Sequence, residues 1–318
     1  MNKLHLAAGI AASLACGAAQ AERAYVPNEG DGTISVFELV MGQPATAKLL
    51  TKTSLGKKIQ GVALDHAGKT LFVVDADASV VLAVDTATGE LKKTIPAGKA
   101  PEGIDLSPDG KTLAVCSEES NQAVFIDVAS LAETGKVAMQ GRNPEHCVYD
   151  PKGRWLFAGN EETHDVDVID LKAKKSVALI KVDGAARGIG FTPDGKTLYL
   201  ANEGAGKVEV VDIATRKITK SITSALRTAG IAVSPDGKRV YAANGGAGTI
   251  SVIDTGSNEI VATVTVGQRP WNMDFSQDGG LLLVANGRSD SISVIDTASN
   301  QVIDTVAVGK KPWGVVVH

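Results

Sequence analysis

One four-residue turn returns six times at a nearly fixed interval, and that interval decides what the chain can fold into. The copies read DHAG, SPDG, DPKG, TPDG, SPDG and SQDG and end at Gly68, Gly110, Gly153, Gly195, Gly237 and Gly279. The steps between them are 42, 43, 42, 42 and 42 residues. A second marker keeps the same step: runs of the VIDT type end at Asp85, Asp127, Asp170, Asp212, Asp254 and Asp296. Within one period, residues 187–223 read RGIGFT, PDGK, TLYLAN, EGAG, KVEVVD, IATR and KITKSIT. These are four short runs rich in Val, Ile, Leu and Tyr, each bounded by turn residues. Glycine supplies the positive φ of a tight hairpin, and the repeated aspartate is placed to accept backbone N–H bonds in the turn that follows it. Four-stranded units of about forty residues specify an all-β propeller of four-stranded antiparallel blades.

The inner strands, here called A, begin near Gln60, Glu102, Glu145, Arg187, Ala229, Trp271 and Trp313, which predicts seven blades. The last of them, PWGVVVH, has no B, C and D strands after it. The start of the chain supplies these as ERAYVPN, TISVFEL and a strand near residues 47–54. The C-terminal inner strand is therefore expected to pair with N-terminal strands, which closes the ring and leaves no open sheet edge.

Residues 1–21 carry an early lysine, an apolar stretch and a small-residue end, Ala19-Gln20-Ala21. This is the pattern of a cleavable signal peptide, so residues 22–318 form the expected single propeller domain, exported to a periplasm. No later stretch is long and apolar enough to span a membrane. The whole chain has 32 basic and 36 acidic residues, a net charge of −4, and lacks the basic excess of a nucleic-acid binder. Cys116 and Cys147 remain after the leader. They fall in the mouth-side halves of adjoining blades, where either a bond or two buried thiols is compatible with the sequence.

Alternating strand direction sorts the loops onto two faces. The A–B and C–D turns are uniform from blade to blade and read as structural. The B–C loops and the A-strand entries vary and share the other face, where function on a scaffold usually sits. The entries KIQG, APEG, NPEH, AARG, RTAG, RPWN and KPWG place Gln60, Glu102, Glu145, Arg187, Ala229, Trp271 and Trp313 around the channel mouth, with Lys58, Arg227, Arg269 and Lys311 beside them. The B-strand ends, from Asn28 and Asp75 to Asn244 and Asn286, are expected there too. The candidate ligand-binding set is Lys58, Gln60, Glu102, Glu145, His146, Arg187, Arg227, Arg269, Trp271, Lys311 and Trp313. Blades 2 and 3 make one side acidic with histidines; blades 5, 6 and the closing blade make the other cationic and aromatic. Guanidinium and ammonium groups suit a carboxylate-bearing ligand, and indole offers a stacking face. Either the two tryptophans plug the channel or they face such a ligand. Imidazole with carboxylates also suits a divalent metal, although no HxH, HExxH or CxxC spacing is present.

GFTPDGKT at residues 190–197 matches a phosphate-binding loop letter for letter. That loop needs a following helix; here it is one copy of the repeated hairpin. No G-x-S-x-G elbow and no spaced acid–base pair appears, so the sequence assigns no catalytic residue.

YVPNEGDGTISVFE, YAANGGAGTISVIDTGSNEIVATVTVG and VANGRSDSISVIDTASNQVIDTVAVG resemble the YVTN class of propeller repeats, and the resemblance covers the whole mature chain. The start AERAYVPNE and the end VGKKPWGVVV resemble a narrower branch, the secreted seven-repeat propellers associated with pyrroloquinoline quinone (PQQ)-dependent catabolism. That resemblance implies a periplasmic accessory role, not a reaction. The variable mouth and the lack of catalytic spacing point to a propeller that acts by binding a protein partner or a small anionic ligand, and a planar anion such as PQQ suits the cationic, aromatic side. The competing expectation is a propeller enzyme, such as a lactonase-like hydrolase with a divalent metal at the mouth.

Overall fold

The repeated turns close as the sequence requires. In the computed structural model, which describes residues 22–40 and 46–318, all six turn glycines have positive φ, from 64° to 71°. In one copy the Gly110 N–H donates to the Ser107 carbonyl and the Ser107 N–H to the Thr112 carbonyl, both at 2.8 Å. The repeated aspartates cap the next turn: Asp85 accepts from the Ala87 and Thr88 N–H groups at 2.9 and 3.0 Å, and Asp296 from Ser299 at 2.7 Å. The leader expected over residues 1–21 lies outside the described residues.

These hairpins build seven four-stranded antiparallel sheets. Blade 1 runs Ile59–Leu64, Thr70–Asp75, Val80–Asp85 and Leu91–Pro96 as strands A to D. The A strands of blades 2 to 6 are Pro101–Leu106, Pro144–Tyr149, Ala186–Phe191, Thr228–Val233 and Pro270–Phe275. The closing blade sets Val316–Val317 beside Glu22–Asn28, Thr33–Val40 and Thr46–Ser54. Arg23 and His318 exchange backbone hydrogen bonds at 2.8 and 2.9 Å, and the Trp313 N–H donates to the Pro27 carbonyl at 2.9 Å. The Val317 N–H also donates to the Asp274 carboxylate of blade 6 at 2.9 Å, so the last strand is tied on both sides. Regular pairing is confined to Val316–Val317, with one isolated bridge between Asn28 and Pro312, because the residues nearest the mouth leave the ladder.

The apolar core is divided into seven clusters, one between each pair of neighbouring blades. Phe72 and Val74 meet Leu113 and Val115 between blades 1 and 2, and Val26 and Phe37 meet Leu283 and Ala285 between blade 6 and the closing blade. B and C strands are covered on both faces, which is why runs such as LFVV carry no polar alternation. The D strands form the outer rim; Lys217–Thr223 alternates exposed and partly buried residues.

The same departure from regular pairing recurs at the mouth end of the A strands. The A–B register shifts between Ile59 and Val62, Pro101 and Ile104, Ala186 and Ile189, and Pro270 and Met273. Such bulges re-aim side chains, and these turn the third residue of each entry toward the channel. The residue after it is usually glycine because neighbouring A strands crowd together there. A Cβ on Gly103 would lie 2.4 Å from the Glu145 carbonyl oxygen, and one on Gly230 would lie 1.9 Å from that of Trp271.

Candidate functional site

Blade 3 breaks that glycine rule with His146, and blade 6 with Asn272. The imidazole therefore enters the channel. It stacks on the Trp313 indole with ring centroids 5.4 Å apart and planes 13° apart. Trp271 also meets Trp313, with ring centroids 6.5 Å apart and planes tilted by 31°, and the Asn272 amide donates to the Trp313 carbonyl at 3.3 Å. Trp313 is only 5% exposed, so this indole fills the channel. A cavity of about 170 Å³ remains beneath it, lined by Gly61, Gly103, His146, Asn272 and Gly314. Burial, with the Arg187 charge second, pushes the His146 pKa down to about 4, which keeps the imidazole neutral against its indole neighbour.

The acidic side lies above this stack. Single oxygens of Glu102, Glu118 and Glu145 fall within 4.8 Å of one another. Glu102 and Glu145 are buried. Burial, the charge of Glu145 and a hydrogen bond shared with Glu118 raise the Glu102 pKa well above the carboxylate range. Burial and a hydrogen bond with Glu161 do the same for Glu145, with Arg187 opposing. Gln60, one blade back in the ring, is also buried, and its amide oxygen receives no hydrogen bond. The carboxylate oxygens suit a hard divalent cation.

The two sides are not separated as the sequence suggested. Arg187 reaches the carboxylates of Glu145 and Glu203, and Glu161 at 3.1 Å. Glu203 in turn takes Arg227 Nε at 2.6 Å and Arg269 Nη2 at 3.3 Å. Sequence reading missed Glu203, the hub of this network. Its signal was a lone glutamate in the B–C loop NEGAG, placed between three arginines only by the ring. Burial works against the Arg187 charge, but Glu145, Glu203 and Glu161 outweigh it and hold the guanidinium protonated.

The cationic side opens to solvent. Arg227, Arg269 and Arg288 line one cavity of about 300 Å³ together with the glycine-rich loop Gly245–Gly248 and Gln268. Arg269 lies over the Trp271 ring with its guanidinium carbon 4.8 Å from the centroid. The Trp271 indole N–H is buried without an acceptor. Arg227 and Arg269 hold positive φ, 60° and 56°, in the connectors that present them; a left-handed backbone is strained for arginine. Lys311 shares that conformation, φ 51°, but stands exposed on the rim, and Lys58 is half-buried at the blade 1 entry. Neither lysine forms an ion pair among the described residues.

The B-strand ends do not belong to this mouth. Asn28 donates to Ser35 at 2.9 Å, Asn160 to Asp165 and Asp167 at 2.8 and 2.9 Å, and Asn286 to Ser293 at 2.9 Å. They are fully buried pegs that fasten each B–C loop within its own blade. Cys116 and Cys147 are joined in a disulfide, with Cα atoms 5.9 Å apart.

The family model of the YNCE-like beta-propeller matches residues 6–318. No curated protein sequence matches the chain. Among solved structures, the chain is similar to a "putative 6-phosphogluconolactonase" from Bacteroides uniformis, with a TM-score of 0.79 and 20% identity over 94% of this chain and 100% of that one. A protein of the same description from Bacteroides fragilis gives a TM-score of 0.77 at 19% identity, over 94% and 98% of the two chains. Hydrazine synthase of Kuenenia stuttgartiensis gives 0.73 at 19% identity, over 82% and 91%. At these identities the likeness is one of fold.

Proposed function

The chain belongs to the YNCE-like beta-propeller family, and from that premise we propose that it is an exported, non-catalytic binding propeller that takes a small polycarboxylate at its channel mouth. The observation that carries this reading is the cavity of about 300 Å³ lined by Arg227, Arg269 and Arg288. Glu203 pairs with two of those guanidiniums, and Arg288 has no carboxylate partner among the described residues. Positive charge is in excess, and it is displayed in fork-shaped groups suited to carboxylates. Trp271 adds a ring face and an N–H that lacks an acceptor. A planar anion such as PQQ matches that chemistry, and with it the role of accessory to a PQQ-dependent dehydrogenase. The small-residue end at Ala19-Gln20-Ala21 supports export, and so does a disulfide, which persists in an oxidising compartment.

Isothermal titration of the mature protein with PQQ and with citrate tests the site. The Arg227→Gln/Arg288→Gln double variant is expected to bind at least tenfold more weakly. Undiminished binding to that variant would remove the mouth from the proposal. Sequencing the N-terminus of the periplasmic protein tests export, with Glu22 as the expected first residue.

A second reading is a lactonase-like hydrolase with a divalent ion held by Glu102, Glu118 and Glu145. It is favoured by the approach of those carboxylates and by the fold likeness to the two Bacteroides proteins. Stoichiometric metal together with EDTA-sensitive lactone hydrolysis would establish it over the binding reading.

A further inference from the structure

The largest cavity described, about 580 Å³, is not at the mouth but on the opposite, turn-bearing face, between blades 2 and 3. Its lining departs from the other blades in the repeat frame. Four residues after each turn glycine, the B strand packs a side chain against the following blade. The residues there are Phe72, Phe157, Tyr199, Tyr241 and Leu283, but blade 2 has Ala114. With no ring at Ala114, the wall of this cleft is Phe125, Val137 and Leu171.

The A strand of blade 3 enters this space with Tyr149, at a position held elsewhere by residues without a polar atom: Leu64, Leu106, Phe191, Val233 and Phe275. Tyr149 is 6% exposed, it lines the cleft, and its hydroxyl has no hydrogen-bond partner. Buried polar groups are almost always paired, so an orphaned hydroxyl on a side chain that lines a cavity marks a place for an acceptor. Burial, then the charges of Asp105 and Asp109, raise its pKa, so it remains a donor.

The equivalent cleft between blades 4 and 5, about 530 Å³, supplies the comparison. There Tyr199 fills the Ala114 position, and its hydroxyl donates to Asn258 at 2.6 Å. Asp236 stands where blade 3 has Lys152, Asn258 where it has Lys174, and Thr255 where it has Leu171. One cleft is thus acidic and internally satisfied. The other has an apolar wall, carries one carboxylate, Asp109, paired with Lys111, and two exposed lysines without an ion-pair partner among the described residues, and keeps a donor unused. Its third lysine, Lys136, pairs with Glu133 at 3.2 Å.

We propose that the cleft between blades 2 and 3 is a second binding site, which takes a small amphipathic anion. The apolar body of the ligand lies against Phe125, Val137 and Leu171. A polar atom accepts from the Tyr149 hydroxyl, and the anionic group faces Lys152 and Lys174. Size, apolar lining and few polar groups match what small-molecule sites need.

The fluorescent anion 1-anilinonaphthalene-8-sulfonate, an aromatic body with one sulfonate, is the probe. Titrated into the mature protein, it is expected to bind one-to-one with micromolar affinity. Lys152→Asp/Lys174→Asn, which copies the charges of the blade 4–5 cleft, should weaken binding at least tenfold, and Tyr149→Phe about threefold. The same change of charge at the distant Lys93 and Lys217 should leave the affinity unaltered. Equal binding by the parent and the Lys152/Lys174 variant overturns the site. So does an equal loss in the Lys93/Lys217 control, which would mean bulk charge alone attracts the dye. The exposed lysine pair tolerates substitution without loss of fold, which a thermal melt of each variant verifies.

Discussion

The mouth has two arcs built from the same positions of the repeat, and they have opposite characters. In blades 2 and 3 the ring residues are Glu102 and Glu145, buried, with burial and neighbouring carboxylates raising their pKa values above the carboxylate range. In blades 5 and 6 Arg227 and Arg288 are exposed at the rim of a cavity, while Arg269 beside them is buried against Glu203 and Trp271. A buried carboxylate hydrogen-bonded to its neighbours has little to offer an anionic ligand; an exposed guanidinium at a cavity rim has both charge and access. The difference teaches that a charged ring is not uniformly a binding ring. Burial turns one arc, and Arg269 of the other, into structure and leaves Arg227 and Arg288 for recognition, with Arg187 and Glu203 stitching the two arcs together.

Removing the stitch should do the most damage. Arg187→Ala leaves Glu145, Glu161 and Glu203 without their shared cation, and taking one partner from a buried ion pair costs about 3–5 kcal/mol. Chemical denaturation should show that loss; an unchanged midpoint would mean that the arcs are independent. Trp313→Ala comes next, at about 3 kcal/mol for an aromatic ring lost from a filled channel. A thermal melt matching the parent would show that the stack on His146 contributes nothing.

The third test is the pH dependence of stability. His146 titrates near 4 in the fold and near 6.5 when unfolded, so the fold binds fewer protons there. Its contribution is present above pH 6.5 and is lost as the pH falls toward 4. Glu102 and Glu145 act in the opposite sense: their contribution is present below the ordinary carboxylate pKa and is lost as pH rises through their raised values. His146→Gln should therefore flatten the decline between pH 6.5 and 4 while leaving the loss at higher pH. An identical profile in both proteins would place the imidazole in water. The smallest change in stability is expected from Arg288→Gln, within about 0.5 kcal/mol because the side chain is exposed. A larger loss would make the cationic arc as structural as the acidic one.

Much of this was legible in the repeat. The interval placed the turn glycines and the capping aspartates, and it showed that the final strand lacked partners which the first strands could supply. Those features depend on local backbone chemistry that recurs in every blade. The site was less legible because its decisive contacts join residues far apart in sequence. Nothing in NEGAG announces that Glu203 will meet Arg187, Arg227 and Arg269. The asparagines that end the B strands looked like mouth residues and are buried pegs, since side-chain direction at a strand end depends on the bulge beside it. Two exceptions were readable all the same. His146 interrupts a column of glycines, and Ala114 interrupts a column of large side chains. Both mark places where the molecule does something its other blades do not.

The closing blade has a consequence for the order in which the chain is made. Its three outer strands, from Glu22 onward, are the first described residues to emerge, and their inner neighbour, Val316–Val317, is among the last. Until that pairing forms, the inner edge of Glu22–Asn28 keeps unsatisfied backbone groups, open to pairing with another copy. Contacts of such long sequence separation form late. Pairing of Val316–Val317 with Glu22–Asn28 is therefore the commitment step, at which a linear series of blades becomes a ring.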